Sequence, residues 1–218
     1  MNIKNKDIAV LGLGTFGYEL AIDLYDADFH VLAVDKKPQL INQIKDKVTV
    51  AVEADVTDEE VLKKLDINKF DKVILGMSNS LENLILTVTY LKKLDVKYII
   101  AKANTKIQKD ILLKIGADEV IQPEVSMAKT LVKKIAYPFM IESLPVDENN
   151  VVVELKIPKK FANKSIKELN FRQKYEILIL MKKSNSKYKI ITNPDEKLIE
   201  DELVFVAGNE HTIQKVFK

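Results

Sequence analysis

The chain has 218 residues, which is enough for one large domain or two modest ones. Its 34 lysines and arginines nearly balance 32 aspartates and glutamates, so its charge does not indicate a nucleic-acid partner. Cysteine is absent, which excludes disulfides and thiolate metal sites. No apolar stretch approaches the roughly 18 residues of a membrane-spanning helix. With no signal peptide expected before the first strand, we expect a cytoplasmic protein.

Short apolar segments alternate with helical patterns through the first 122 residues. The predicted strands are Asp7–Leu11, Val31–Asp35, Val48–Val52, Lys72–Leu75, Tyr98–Ala101 and Glu119–Ile121. The predicted helices cover residues 15–26, 38–46, 58–65, 80–94 and 105–115. Capping-box patterns at Thr57–Glu60 and Thr105–Gln108 predict the starts of two helices. Apolar strands that alternate with helices indicate an α/β fold with a doubly wound parallel sheet of the Rossmann type.

The pattern changes after a helix predicted over residues 124–137. The apolar segment Pro138–Pro145 is either a linker or a surface that packs against another subunit. We therefore predict a first domain over residues 1–137, a hinge over 138–149 and a small α+β domain over 150–218. The strands predicted in this second domain are Val151–Ile157, Ile177–Met181, Tyr188–Thr192 and Leu203–Ala207. Short helices are predicted near 165–169 and 209–217, and a hairpin turn at Lys182–Lys187.

Three glycines lie close together between the first predicted strand and the first helix. They are Gly12, Gly14 and Gly17, and Asp35 follows 18 residues later at the end of the second strand. In this context one glycine makes a tight turn, the next allows backbone to approach a pyrophosphate, and the third allows close packing of helix and strand. The amino end of the helix then faces phosphates, and the acid accepts hydrogen bonds from a ribose. The pattern predicts nucleotide binding.

Residues for hydride-transfer chemistry are few. His30 opens the second strand and His211 lies near the end of the chain, so neither stands at the carboxyl end of a strand. Tyr98 and Lys102 have the spacing used by short-chain reductases on a helix, but on a strand they lie about 13 Å apart. Lys102 by itself, at a strand's carboxyl end, either contacts a ligand or is solvated. This favours a nucleotide sensor, with a soluble NAD-dependent oxidoreductase as the alternative.

The motifs, taken in order along essentially the whole chain, resemble the cytoplasmic regulatory subunits of bacterial potassium uptake systems, the KtrA/TrkA type, also called RCK proteins. The resemblance is carried by Val10–Gly17, Val31–Asp35, Ala54–Glu60, Ile100–Ala103, Ile115–Glu124, Val152–Ile157, Ser165–Tyr175 and Glu200–Gly208.

The resemblance implies a Rossmann-like first domain that binds ATP, ADP or NAD(H), and a small second domain. It also implies a homodimer that assembles into an octameric ring beneath a membrane potassium-translocating subunit, at the inner face of the membrane. Nucleotide exchange would change the shape of the ring and so gate ion flow, without catalysis. A regulatory module for another ion channel is a further alternative.

The resemblance also assigns binding residues. The phosphate loop, the ribose and adenine contacts and the residues facing the phosphates would be Gly12, Leu13, Gly14, Thr15, Phe16, Gly17, Asp35, Lys36, Asp55, Val56, Met77, Ser78, Lys102 and Glu124. Glu124 is in addition the candidate ligand for a cation associated with the phosphates.

Two departures from the family pattern concern ligand choice. Thr15 stands where many ATP-responsive members have arginine, and threonine supplies no charge for terminal phosphates. Some relatives bind cyclic di-AMP in the second domain at a dimer interface. This chain keeps Arg172 there but has Asn170 and Leu178 where aspartate and asparagine are common. Asn170 and Arg172 are therefore candidate residues for a second ligand, cyclic di-AMP.

Overall fold

The computed structural model of the chain describes residues 6–77, 80–184 and 187–218. The chain divides into two compact units, Met1–Ser126 and Met127–Lys218. Among the described residues, no helix is both long and apolar enough to cross a lipid bilayer.

Strands and helices alternate in the first unit, as the sequence predicts. They are β1 (Asp7–Leu11), α1 (Thr15–Asp26), β2 (His30–Asp35), α2 (Pro38–Ile44), β3 (Val50–Glu53), α3 (Glu59–Lys64), β4 (Lys72–Leu75), α4 (Leu81–Lys93), β5 (Ile99–Lys102), α5 (Lys106–Lys114), β6 (Glu119–Ile121) and α6 (Pro123–Ala136). Helix α6 begins in the first unit and ends in the second. The strands form a parallel sheet in the order β3-β2-β1-β4-β5-β6. The prediction of a Rossmann-like α/β fold is confirmed.

The central strand β1 is buried on both faces. Ala9 and Leu11 belong to one apolar cluster, whereas Ile8 and Val10 belong to another on the opposite face. Because both faces are covered by helices, every residue of the strand after Asp7 is apolar, and the sequence shows no polar alternation. The register sets Leu11 beside Val34 of β2 and Leu75 of β4, so the three strands end together at one edge.

Close packing of α1 against the end of β1 depends on Gly17. A Cβ atom at this position would lie 2.1 Å from the carbonyl oxygen of Gly12, far inside van der Waals contact. The third glycine of the sequence pattern therefore has the packing role predicted for it, because only hydrogen fits between helix and loop.

Of the two predicted capping boxes, the one at Thr57–Glu60 is not formed and the one at Thr105–Gln108 is half formed. The helix start near Thr57 is wrong by one residue, because Asp58 is the N-cap and accepts a hydrogen bond from the backbone N–H two residues on. At α5, Thr105 accepts a hydrogen bond from the backbone N–H of Gln108 at 3.2 Å, as predicted. The side chain of Gln108 accepts from the N–H of Asn104 instead of from that of the N-cap residue, so the reciprocal half of the box is missing.

The second unit contains an antiparallel sheet with short helices. Its elements are β7 (Met140–Pro145), β8 (Asn150–Lys156), α7 (Ile166–Leu169), α8 (Phe171–Tyr175), β9 (Leu178–Ser184), β10 (Lys187–Ile190), β11 (Leu203–Asn209) and α9 (Glu210–Phe217). The strand order is β10-β9-β11-β8-β7. Alternate residues of β8, including Val153 and Leu155, enter a core that also contains Phe217 of α9. The small α+β character expected here is confirmed.

The segment assigned to a hinge contains the edge strand β7. Met140–Pro145 pairs antiparallel with β8, with Leu144 opposite Val152. The interpretation of Pro138–Pro145 as a linker is therefore incomplete, because its backbone groups bond to the second sheet. The two prolines at its ends are tolerated since an edge strand needs fewer backbone donors. The domain limits 1–137 and 150–218 stay a prediction.

Two glycine variants should distinguish a glycine that close packing requires from one that borders open space. We expect Gly17→Ala to lower the free energy of unfolding by about 3 kcal/mol, because the added methyl group meets the Gly12 carbonyl. Gly14→Ala should cost about 1 kcal/mol or less, since a Cβ there has no atom within 4 Å and φ is −62°. Urea unfolding followed by circular dichroism measures both, and equal losses would contradict the packing role of Gly17.

Candidate nucleotide-binding site

A cavity of about 590 Å³ opens at the carboxyl ends of the first unit's strands. It lies where the strand order reverses between β1 and β4, the position at which doubly wound sheets bind ligands. Its volume is within the range of small-molecule sites. The described residues that line it are Gly12, Gly14, Thr15, Phe16, Asp35, Lys36, Lys37, Leu40, Ala54, Asp55, Val56, Thr57, Gly76, Met77, Ser80, Asn83, Lys102 and Glu124.

Most of the predicted binding residues therefore meet around one cavity. Leu13 and Gly17 are buried next to it and support the loop instead of lining the space. Ser78 lies outside the described residues. Asn170 and Arg172 belong to the second unit. There Asn170 adopts the left-handed conformation between α7 and α8, its side chain donates to Gln173, and Arg172 is exposed.

The glycine loop brings backbone to the floor of the cavity. Gly12 has a φ of +94°, and a Cβ there would lie 2.7 Å from the backbone nitrogen of Met77. Gly14 is the N-cap of α1, has no side chain to accept from the first helical N–H groups, and faces open space. Because these N–H groups and the helix dipole favour anions, the amino end of α1 is suited to phosphate oxygens.

Asp35 fastens this loop to the end of β2. Its Oδ2 accepts a hydrogen bond from the backbone N–H of Leu13 at 2.7 Å, and its Oδ1 accepts from that of Lys37 at 2.9 Å. A carboxylate oxygen has two lone-pair directions, so both oxygens keep capacity for a ligand hydroxyl. Asp35 therefore shapes the loop and also presents acceptors to the cavity.

Asp55 forms a tight turn after β3, the strand next to β2. Its Oδ1 accepts hydrogen bonds from the hydroxyl of Thr57 at 2.7 Å and from the Thr57 backbone N–H at 3.0 Å. These hydrogen bonds, with a smaller contribution from Lys36 at 3.9 Å, lower the pKa of the Asp55 carboxyl. The group is thus an anion at neutral pH, and Val56 beside it supplies an apolar surface.

An ion pair closes the side of the cavity near α1. The Nζ of Lys102 donates to Oε1 of Glu124 at 2.5 Å, and the Lys102 side chain is only 11% exposed against 64% for Glu124. The hydrogen bond from Lys102 lowers the pKa of the Glu124 carboxyl. The same ammonium group lies 6.0 Å from the ring centroid of Phe16, which places it beside the first turn of α1.

Sequence reasoning missed two residues that hold the site together. A Cβ at Gly76 would lie 2.5 Å from the Gly12 carbonyl oxygen, so the loop after β4 also needs glycine. A glycine directly after an apolar strand is the signal that could have found it. Thr87, fully buried on α4, directs its hydroxyl to the carbonyls of Asn83 and Val56 at 2.8 and 3.4 Å. It joins α4 to the cavity wall, and no sequence pattern marks it.

Of the candidate catalytic groups in the first unit, Lys102 lines the cavity, whereas Tyr98 and His30 do not. Tyr98 bonds to Glu119 at 3.3 Å, and His30 lies 3.3 Å from Asp7 at the amino ends of the strands. His211 is on α9 in the second unit. Over the described residues, no group of three or more His, Cys, Asp or Glu side chains lies close enough together to hold a metal ion.

Comparison with known proteins covers both parts of the chain. Residues 8–123 match the TrkA-N domain, and residues 151–218 match the TrkA-C domain. The chain is 32% identical over 213 residues to the Ktr system potassium uptake protein A of Bacillus subtilis, covering 98% of this chain and 96% of that protein. It is 27% identical over 220 residues to the protein of the same name from Vibrio alginolyticus, covering 100% and 99%.

The fold is also found in solved structures. The RCK domain of GsuK aligns with a TM-score of 0.64 at 17% identity, covering all of this chain and 48% of that longer one. At this identity the likeness concerns the fold alone. Because both domain models match in order and the Bacillus relative matches end to end, the chain belongs to the TrkA-N/TrkA-C family that includes the Ktr system potassium uptake proteins.

Proposed function

We propose that the chain is a nucleotide-sensing regulatory subunit that gates a membrane potassium transporter. The observation that carries the proposal is the cavity at the β1/β4 crevice, with its glycine loop and Asp35, in a chain that matches a potassium uptake protein over nearly its whole length. The resemblance noted in the sequence points to the same role. The protein would act in the cytoplasm, at the inner face of the membrane, through its transporter partner.

The ligand proposed for the cavity is an adenine nucleotide, ATP, ADP or NAD(H). Its phosphates would lie on the backbone of the glycine loop and on the amino end of α1, within reach of Lys102. Its ribose hydroxyls would donate to Asp35, and the adenine would lie near Asp55 and Val56. Solved structures with this fold include GsuK bound to NAD and GsuK bound to ADP.

A cation and a second ligand belong to the same proposal. Glu124 would hold a cation together with phosphate oxygens, since carboxylate and phosphate oxygens suit hard cations. Cyclic di-AMP at Asn170 and Arg172 of the second unit stays a prediction from the resemblance. We propose no catalytic role, because Lys102 is ion-paired and His30 lies at the amino ends of the strands.

The apolar stripe of α6 supports assembly into a homodimer and then an octameric ring. Met127, Leu131 and Ile135 follow one another at four-residue spacing on this helix and are 66%, 55% and 71% exposed. Large apolar side chains in a contiguous exposed stripe are typical of surfaces that another chain covers. A second copy of this chain is the partner that the proposal requires.

Loss of the ribose acceptor should weaken nucleotide binding. We expect Asp35→Ala to raise the Kd for NAD and ADP at least tenfold in calorimetry, because the ribose acceptors and the brace on the Leu13 N–H are both removed. Asp46→Ala, an exposed carboxylate outside the cavity lining, is the matched control and should leave both Kd values unchanged. Unchanged affinity in Asp35→Ala would remove this residue from the site.

Gating can be measured as potassium flux. In vesicles that contain the translocating subunit, adding this chain should change potassium uptake, and NAD, ADP or ATP should change it again. Gly14→Ala, whose methyl group would project into the cavity, should reduce the nucleotide response. Identical flux with and without the chain, or turnover of NADH on a carbonyl substrate at an enzymatic rate, would contradict the proposed function.

The assembly proposal has its own test. Leu131→Asp should dissociate the dimer in light scattering after size-exclusion chromatography, because a charge on the apolar stripe must be desolvated at the interface. Lys129→Asp, a charge-altering change at an exposed polar position of the same helix, is the control and should leave the dimer intact. A wild-type protein that is monomeric at micromolar concentration would rule out the interface.

A further inference from the structure

Asn83 lines the cavity with a side-chain amide that has no partner in the part of the chain that the structure describes. It is the third residue of α4, and hydrogen bonds fix its backbone on both sides. Its N–H donates to the Oγ of Ser80, the N-cap of α4, at 3.3 Å, and its carbonyl accepts from the hydroxyl of Thr87 at 2.8 Å. The residue is half-buried, and its amide forms no hydrogen bond with any described residue. The donor and the acceptor of this amide are therefore available to a ligand.

Thr87 places Asn83 beside the residues proposed to contact the base. The hydroxyl of Thr87 approaches the carbonyl oxygens of both Asn83 and Val56, at 2.8 and 3.4 Å. These two carbonyl oxygens lie within two hydrogen-bond lengths of each other, so the first turn of α4 adjoins the turn after β3. Because Thr87 is fully buried, the contact is shielded from water. Asn83 consequently lies on the same side of the cavity as Val56.

The polar groups on this side of the cavity differ in the partners that they can bind. Hydrogen bonds from Thr57 lower the pKa of the Asp55 carboxyl, so at neutral pH this group only accepts hydrogen bonds. The Asn83 amide both donates and accepts. The edge of adenine offers the complementary pair, an exocyclic amino group beside a ring nitrogen, and asparagine is a common bidentate partner for it. Hypoxanthine and guanine carry an oxygen in place of that amino group.

We propose that Asn83 is a specificity-determining residue that selects adenine among the purines. This inference rests on the proposed function of the cavity. The amide oxygen accepts a hydrogen bond from the exocyclic amino group of the base, and the amide nitrogen donates to the adjacent ring nitrogen. A 6-oxo purine loses this match, because its oxygen faces the amide oxygen. If the amide turns over to donate to that oxygen, the oxygen still lies beside the Asp55 carboxylate, which repels it.

The rest of the proposed site cannot make this choice. The glycine loop and Asp35 would contact the phosphates and the ribose, which are the same in every purine nucleotide. Only groups that face the base can distinguish one purine from another. Because the Asn83 amide is neutral, its removal leaves the charge of the cavity unchanged. The effect should therefore be confined to the ligand whose base the amide recognises.

The test compares NAD with nicotinamide hypoxanthine dinucleotide, in which an oxygen replaces the 6-amino group of the purine. Calorimetry on the full chain gives both Kd values, and the Kd of the hypoxanthine analogue divided by that of NAD measures base selectivity. We expect a wild-type ratio of about ten or more, equivalent to about 1.4 kcal/mol. Asn83→Ala should weaken NAD but not the analogue, and so lower the ratio at least about threefold. Asn42→Ala, at an exposed asparagine of α2 outside the cavity lining, should leave the ratio unchanged.

The possible failures are distinguishable. If NAD binds and Asn83→Ala leaves the ratio unchanged, or if the wild type binds both dinucleotides equally, this inference is overturned and the proposed function stands. If the wild type binds no adenine compound, both are overturned. The variant is expected to fold, because alanine has a higher helix propensity than asparagine. Asn83→Leu keeps more of the side-chain volume without the amide, and it must lower the ratio in the same way.

Discussion

The cavity exists because three backbone segments approach more closely than side chains permit. Gly12 after β1, Gly17 in α1 and Gly76 after β4 meet around the carbonyl oxygen of Gly12, where Cβ atoms at Gly17 and Gly76 would lie 2.1 and 2.5 Å away. This contact holds α1 and the loop after β4 at the sheet edge, so that Gly14 and Met77 border one open space. A larger side chain would separate these segments and disrupt the crevice.

The register of the sheet decides which polar groups reach that space. Leu11 lies beside Val34 and Leu75, so the residues that follow them, Gly12, Asp35 and Gly76, emerge together at the edge. Buried strands must be apolar, and the polar groups therefore begin where the strands end. Asp35 uses this position twice, since its carboxylate fixes the glycine loop and faces the cavity.

Sequence could predict the features that depend on local patterns. The bounds of β1, β4 and β6 agree with prediction because each is a short apolar run that begins at a charged residue and ends before glycine or before Gln122 and Pro123. Strand β7 could not be recognised, because its pairing with β8 is a tertiary contact and its segment reads as a proline-bounded linker. In the same way, Lys102 and Glu124 could each be assigned to the phosphate side, but their ion pair joins residues 22 positions apart. The fold decides which charged side chains form ion pairs, and it therefore also decides the net charge that a ligand encounters in the cavity.

The carboxylates of the cavity are better suited to changing hydrogen-bond and ion-pair partners than to transferring protons. The pKa of the carboxyl is lowered at Asp55 by Thr57 and at Glu124 by Lys102, so both remain anions around neutral pH. A general acid or base needs a pKa near the working pH, whereas a sensor needs contacts that a ligand replaces in one state and leaves in another. We propose that the Lys102–Glu124 pair is such a contact. Because coupling is reciprocal, any change in the surroundings of α6 that stabilises this pair must weaken the ligands that break it.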